Sequence, residues 1–240
     1  MNSLKVPLII FALVLLVLVG ASMLLGNPSG SSETATLTGV TEVLPELNLS
    51  ESDIQACLDS GEQDARVRRD IESARALSFS GTPGVILFDK QTGNAALMRG
   101  AYPFEAIAQS IDQMLNNDLS EGDILLESEA LGVKLEIERI ESLEIVEDDH
   151  LRGNPDARIT LLEYSDVDCP YCAQFHGTAI RLVNQFPEDL NWVYRHYPLP
   201  QLHPTSISKA IVSECAQQLG GDEAFWGVID SYYAKNLSNQ

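Results

Sequence analysis

Cys169-Pro170-Tyr171-Cys172 is the stretch of this sequence whose residue types and spacing can do redox chemistry. Cysteines at i and i+3 lie close to one helical turn apart, so at a helix start their sulfurs can make and break a small-ring disulfide. The first thiol then stands among the unpaired N–H groups of the first turn, at the positive end of the helix dipole, and its thiolate is favoured. Pro170 suits the first helical position, where its missing N–H is not needed. The geometry assigns the roles: Cys169 is the exposed nucleophile and Cys172 the more buried resolving thiol. The reaction is in-line attack of a thiolate on a sulfur, through a mixed disulfide. A zinc half-site is the competing reading. It needs about four ligands. His176 offers a third, but no second CxxC exists, and Cys57 and Cys215 are far away in sequence. No metal and no cofactor is therefore expected.

The elements that position this pair lie on either side of it. Residues 159–164 form a strand. On it, Glu163 either faces inward below the cysteines, where burial would raise its pKa and suit it to shuttling protons, or faces solvent. The helix after Cys169 carries Cys172, Phe175, Ala179, Leu182 and Phe186 along one face. Residues 191–197 return as a strand, and Pro198, Pro200 and Pro204 mark a loop. Residues 208–219 and 224–233 are two helices parted by Gly220-Gly221. His176 either tunes the thiolate or lies on a solvated helix face, and Trp192, Tyr194 and Trp226 read as packing. Strand, CxxC at a helix start, helix and strand open a thioredoxin-like α/β fold.

Another folded segment precedes this one. Ser50 caps a short helix that carries Asp53 in its first turn, then Cys57, and ends at Gly61. Residues 64–77 form a second helix, with Val67, Ile71, Ala74 and Leu77 at helical spacing. Ser80-Gly81-Thr82-Pro83-Gly84 is a loop. Residues 85–88 are a strand, turned back by Asp89-Lys90-Gln91-Thr92-Gly93 toward another near 95–99. Residues 104–115 close the segment as an amphipathic helix. Residues 116–150 are strongly acidic and read as a connector, with an alternating stretch at 133–140 that suits a strand. The domain order is 43–115, connector 116–150, then 151–240.

The chain has 240 residues, 45% of them hydrophobic, and a net charge of −20. It can bury a core, and its charge repels nucleic acid and anionic lipid. Residues 6–25 are an uncharged apolar run long enough to cross a bilayer as a helix. Lys5 precedes the run, and residues 27–42, rich in Gly, Ser and Thr, follow it as a flexible linker. Positive charge on the short N-terminal side keeps that end in the cytoplasm and exports the rest. Residues 1–26 thus read as a transmembrane anchor, with a cleaved signal peptide as the alternative. Either way the domain lies outside the cytoplasm, periplasmic or extracellular, where disulfides persist.

These residues together resemble the DsbA-like family of thioredoxin-fold oxidoreductases. One half of the resemblance is Gly153-Asn154-Pro155-Asp156-Ala157, Leu162-Glu163-Tyr164-Ser165-Asp166, the CxxC, and Phe175-His176. It continues in Trp192-Val193-Tyr194-Arg195-His196-Tyr197-Pro198-Leu199, His203-Pro204, Glu214-Cys215-Ala216 and Glu223-Ala224-Phe225-Trp226. The other half is Ala56-Cys57-Leu58-Asp59-Ser60-Gly61, Gly81-Thr82-Pro83 and Gly100-Ala101-Tyr102-Pro103-Phe104. In the family the CxxC half comes first, whereas here it comes second. The resemblance therefore implies a circular permutation: residues 116–150 join the old ends, and the new ends open within a helical insertion subdomain. A domain-swapped dimer and a rearranged reading frame are the rival readings.

The resemblance also implies roles. Thr82-Pro83 would be a cis-proline loop facing Cys169 and, with Pro170 and Tyr171, would bind an extended substrate peptide. Gly84 stands where the family more often has a β-branched or polar residue, and would loosen that loop. Cys57 and Cys215 would form a structural disulfide between the halves, the alternative being two buried free thiols. The implied function is an enzyme: a thiol–disulfide oxidoreductase that introduces disulfides into exported proteins, with a membrane redox partner recycling Cys169 and Cys172. A reductase or isomerase using the same site, and a redox-inactive tethered peptide-binding module, are the alternatives.

Overall fold

Three apolar strands hold the centre of the molecule, because each carries buried residues on both faces. The computed structural model describes residues 37, 40–130, 132–140 and 143–238. In chain order the elements are α1 (Glu51–Ser60), α2 (Asp64–Ala76), β1 (Gly84–Asp89), β2 (Asn94–Arg99), α3 (Phe104–Asn116), β3 (Ile124–Ser128), β4 (Val133–Glu136) and β5 (Glu138–Arg139). Then follow β6 (His150–Gly153), β7 (Ile159–Ser165), α4 (Pro170–Gln185), β8 (Leu190–His196) and α5 (Ser206–Ser238). The main sheet runs β5-β2-β1-β7-β8-β6, and β3-β4 is a separate hairpin. β7 and β8 are parallel, with α4 as their crossover. The other pairs are antiparallel. This is a mixed α/β, thioredoxin-like fold.

The alternation of side chains along a strand divides the core. Val85, Leu87, Leu161, Trp192 and Tyr194 face the larger cluster, which includes Ile107 of α3, Phe175 of α4 and Phe225 of α5. Ile86, Leu162, Tyr164 and Val193 face the other side, against Ala74 of α2 and Phe79. Glu163 lies between Leu162 and Tyr164, so it points into the larger cluster. Across the ladder it stands opposite Val85 on β1 and Tyr194 on β8.

Local signals set the helix ends. The Asp53 N–H donates to Ser50 Oγ at 3.1 Å, a cap worth about 1 kcal/mol. Gly61 ends α1 in the left-handed region at φ 67°. Gly221, at φ 71° and ψ −164°, breaks α5 into the two expected helices.

The structure departs from the sequence reading at four places. First, residues 116–150 are more than a link. They form the β3-β4 hairpin, add β5 to the edge of the sheet, and end in β6. Second, β6 itself was not expected, because His150-Leu151-Arg152-Gly153 lacks the β-branched and aromatic residues that announce a strand. Third, the folded part starts before residue 43, since Val40 is fully buried. Fourth, Gly84 has a packing role that the sequence reading did not give it. A Cβ there would lie 2.6 Å from Phe79 Cδ1, so the missing side chain is what lets the Phe79 ring pack on β1.

The end of the acidic segment is clasped to the sheet. Arg195 of β8 donates from Nε and Nη2 to the two carboxylate oxygens of Asp149, at 2.8 and 2.7 Å. It also donates to the Glu144 carbonyl at 2.6 Å and to Tyr164 Oη at 3.1 Å. Cys57 of α1 and Cys215 of α5 are bonded, joining segments 158 residues apart.

The expected anchor, residues 1–26, and linker residues 27–36, 38 and 39 lie outside the described residues. Among the described residues, no helix is long and apolar enough to cross a membrane.

Candidate active site

Cys169 occupies the N-cap position of α4 and Pro170 the first helical position. The approach to it is rigidly held. Asp166, fully buried, accepts from the Leu199 N–H at 2.7 Å and from the Asp168 N–H at 2.9 Å, and pairs with His203 Nδ1 at 2.9 Å. Asp168 accepts from Thr205 Oγ1 at 2.7 Å and from Lys209 Nζ. The loop before the CxxC is thereby tied to the loop after β8 and to α5. Asp166 enters the sequence analysis only through the resemblance, and Asp168 carries no expectation there. Their place one to three residues before a helix-start cysteine was the available signal.

Cys169 and Cys172 are free thiols. Cys172 is fully buried, whereas Cys169 is 5% exposed. Cys169 is thus the outer sulfur of the pair but no freely exposed side chain, and Tyr171, 63% exposed, forms the rim beside it. Hydrogen bonding from the Cys172 thiol lowers the Cys169 pKa most. Burial opposes this, while the Thr82 side chain and the N–H groups of Cys172 and Tyr171 lower it further, to about 6. Burial, together with that bond to Cys169, pushes the Cys172 thiol well up. The two sulfurs are therefore unequal: one is poised as a thiolate and the other keeps its proton.

The Thr82–Pro83 bond is cis. The Thr82 carbonyl lies 3.6 Å from Cys169 Sγ, and the Gly100 N–H donates to the Pro83 carbonyl at 2.9 Å, tying the loop to the end of β2. Thr82, Pro83, Cys169, Pro170 and Tyr171 thus meet at one end of the sheet, from both halves of the chain. Cys57 and Cys215 sit apart from them, between α1 and α5.

Glu163 is fully buried. Burial raises its pKa, bonds from Ser165 and Trp192 oppose the rise, and the nearby Cys169 adds to it, giving about 8. Ser165 Oγ donates to Oε1 at 2.5 Å and Trp192 Nε1 to Oε2 at 3.1 Å. The sequence reading gives Ser165 no role, although it lies two residues along the strand from Glu163 and so shares its face. His176 is buried rather than solvated. Its Nε2 lies 2.8 Å from Asp230 Oδ1, and its ring packs on Trp192 and Tyr233. No group of His, Cys, Asp and Glu among the described residues is arranged to hold a metal ion.

Residues 146–239 match the family model described as thioredoxin. Over 80 residues the chain is 42% identical to the Na(+)/H(+) antiporter NhaA 1 of Mycolicibacterium gilvum, covering 33% of this chain and 12% of that protein. Over 87 residues it is 39% identical to the Na(+)/H(+) antiporter NhaA of Herminiimonas arsenicoxydans, covering 36% and 13%. The chain thus spans only about an eighth of the length of these curated relatives. Among solved structures it is similar to Pseudomonas aeruginosa DsbA2, at 36% identity and a TM-score of 0.35, over 38% of this chain and 50% of that one. It is also similar to Wolbachia pipientis α-DsbA1, at 18% identity and a TM-score of 0.23, over 40% and 68%. The CxxC half of this chain thus matches the thioredoxin family model, and a cis-proline loop faces its cysteines.

Proposed function

We propose that the chain is an extracytoplasmic thiol–disulfide oxidoreductase that works as an oxidase of exported proteins. The observation that carries this reading is the stabilised Cys169 thiolate, its pKa lowered to about 6. In the oxidised protein, a substrate thiolate attacks Cys169 Sγ. The Cys169–Cys172 bond breaks, its electron pair goes to Cys172, and Cys172 takes up a proton. A second substrate thiolate then attacks the substrate sulfur of the mixed disulfide. The substrate disulfide forms and Cys169 leaves as a thiolate. Two electrons pass from substrate to protein. A leaving thiolate that is stabilised speeds the last step and favours the reduced protein, the property of an oxidant.

Glu163, buried and protonated near neutral pH, is the proton donor to Cys172 in this scheme, and Thr82, Pro83, Pro170 and Tyr171 form the substrate groove. A membrane redox partner returns the dithiol to the disulfide, and an N-terminal helix holds the domain at the membrane.

The proposal includes a circular permutation within one chain. The support is that Thr82 and Cys169 of the same chain meet, and that Cys57 and Cys215 of the same chain are bonded. The mass of the soluble domain in solution tests it: a monomer is expected, and an obligate dimer would replace permutation by domain swapping.

The reduction potential of the Cys169/Cys172 pair, measured against glutathione, tests the direction of the reaction. An oxidising potential is expected. A strongly reducing one would leave the reductase reading in its place.

A further inference from the structure

The carboxylate of Glu163 is buried without a cationic partner among the described residues, and its contacts are neutral donors. Trp192 Nε1 can only donate, and it is committed to Oε2. Ser165 has one hydroxyl proton, which goes to Oε1 at 2.5 Å. That leaves Ser165 only lone pairs to offer Tyr233 Oη, 2.7 Å away, so Tyr233 must donate to Ser165. Tyr233 then has no proton left for Tyr194, whose Oη is 3.1 Å from its own, so Tyr194 must donate to Tyr233. Around ionised Glu163 the bonds therefore run in one direction: Tyr194 to Tyr233 to Ser165 to the carboxylate. Three elements supply them: β7 gives Glu163 and Ser165, β8 gives Trp192 and Tyr194, and α5 gives Tyr233.

We propose that Ser165, Tyr233 and Tyr194 are positioning residues: a hydroxyl chain that solvates the Glu163 carboxylate inside the core and sets the pH at which Glu163 yields its proton. This rests on the reading of Glu163 as the proton donor to Cys172. When the proton leaves for Cys172, Glu163 becomes a carboxylate in a dry core, where an unsolvated charge is costly. The chain provides the solvation in place before the step, with no water required to enter. Hydrogen bonds in such a row polarise one another, so the far tyrosine contributes through the near one. The opposing arrangement, with Glu163 protonated on Oε1 and donating to Ser165, reverses each bond of the hydroxyl row. Among the described residues it leaves the Tyr194 proton without an acceptor, since Tyr233 is the partner of its hydroxyl. The chain therefore favours the ionised acid while burial favours the neutral one. The balance leaves Glu163 with a pKa raised only to about 8. The titratable groups facing Glu163 are Cys169 and Cys172 from α4, Tyr194 from β8 and Tyr233 from α5, while β1 presents Val85.

The test follows the Glu163 carboxyl by 13C NMR as a function of pH, alongside the pH–rate profile of exchange with dithiothreitol. Ser165→Ala is expected to raise the Glu163 midpoint by roughly one to two pH units, as loss of a bond to a charged group should. Tyr233→Phe should raise it by less, Tyr194→Phe by least, and the corresponding limb of the rate profile should move with each. Ser165→Thr keeps the hydroxyl and should keep the midpoint. A packing role would lower the thermal midpoint of these variants with no movement of the Glu163 titration. If Ser165→Ala does not fold, Tyr233→Phe decides. A Glu163 midpoint unmoved by Tyr233→Phe or Ser165→Ala overturns the chain. Glu163→Gln separates the two ideas: a rate profile unchanged by Glu163→Gln removes the proton-donor reading, while the carboxyl titration still judges the chain.

Discussion

The carbonyl oxygen of Thr82 lies 3.6 Å from Cys169 Sγ across a sequence separation of 87 residues. In the proposed reaction, a peptide whose sulfur is joined to Cys169 runs beside the backbone of the Thr82-Pro83 loop. Neither half of the chain holds a complete site. The N-terminal half brings the loop, the C-terminal half brings the sulfurs, and the sheet between β1 and β7 brings them together.

The inequality of the two sulfurs gives each cysteine a separable part. Cys172→Ser should accumulate mixed disulfides through Cys169, seen as adducts on non-reducing gels and removed by reductant, because the resolving thiol is gone. Cys169→Ser should accumulate none and should lose exchange altogether. Adducts of equal yield in both variants would mean that the roles are wrongly assigned.

The ionisation of Cys169 links redox state to pH. Its folded pKa, about 6, is below the ordinary thiol value of about 8.5. The stabilisation of the reduced fold from this group is complete above the unfolded value and is lost as pH falls through about 6. The reduced protein should gain stability relative to the oxidised protein as pH rises between those values. Denaturant unfolding of both forms at several pH values measures it, and a gap constant with pH would contradict it.

Glu163 has the opposite sign. Its folded pKa is raised to about 8 by burial, while the unfolded value is about 4.3. The folded state holds the proton longer, so the contribution is complete below the unfolded value and fades as pH climbs toward about 8. Glu163→Gln removes this loss. Its stability relative to the wild type should improve by about 4–5 kcal/mol between pH 4 and pH 8, read from urea unfolding curves. A difference that does not vary with pH would place the acid in contact with water.

The Cys57–Cys215 bond closes a separation of 158 residues. Long loops are those in which a crosslink restricts the unfolded chain most. The double Cys57→Ser/Cys215→Ser variant should lose about 2–5 kcal/mol while keeping its exchange chemistry, since neither residue touches the CxxC. Unfolding with and without selective reduction checks this, and an unchanged midpoint would show that the halves hold together without it.

Gly84→Val should be costly for a local reason. A Cβ at that position meets the buried Phe79 ring at 2.6 Å, and overpacking of this kind costs about 1–3 kcal/mol. The paired change Gly84→Val/Phe79→Ala should recover less than the cost of the Phe79→Ala cavity but should remove the clash. A double-mutant cycle with no coupling between the two positions would refute the contact.

By itself the sequence determined the features that rest on local chemistry. Two cysteines at helical spacing after an apolar strand, a proline at the first helical position, Ser50 before its helix and Gly61 after it all act over a few residues. Hydrophobic periodicity carried the strands around Val85, Leu161 and Val193. It failed for His150-Leu151-Arg152-Gly153, a strand only because β8 offers it a free edge, and for Val40, buried although it lies in the stretch read as linker. Tertiary structure alone decided the environment of Glu163. Alternation along β7 put it on the same face as Ser165. That its pKa is raised, and that its solvent is a row of hydroxyls from β7, β8 and α5, follows from packing three distant segments into one dry volume. The pairing of Thr82 with Cys169 has the same origin. A contact across 87 residues leaves no trace in local spacing, because it is made by the sheet and not by the chain.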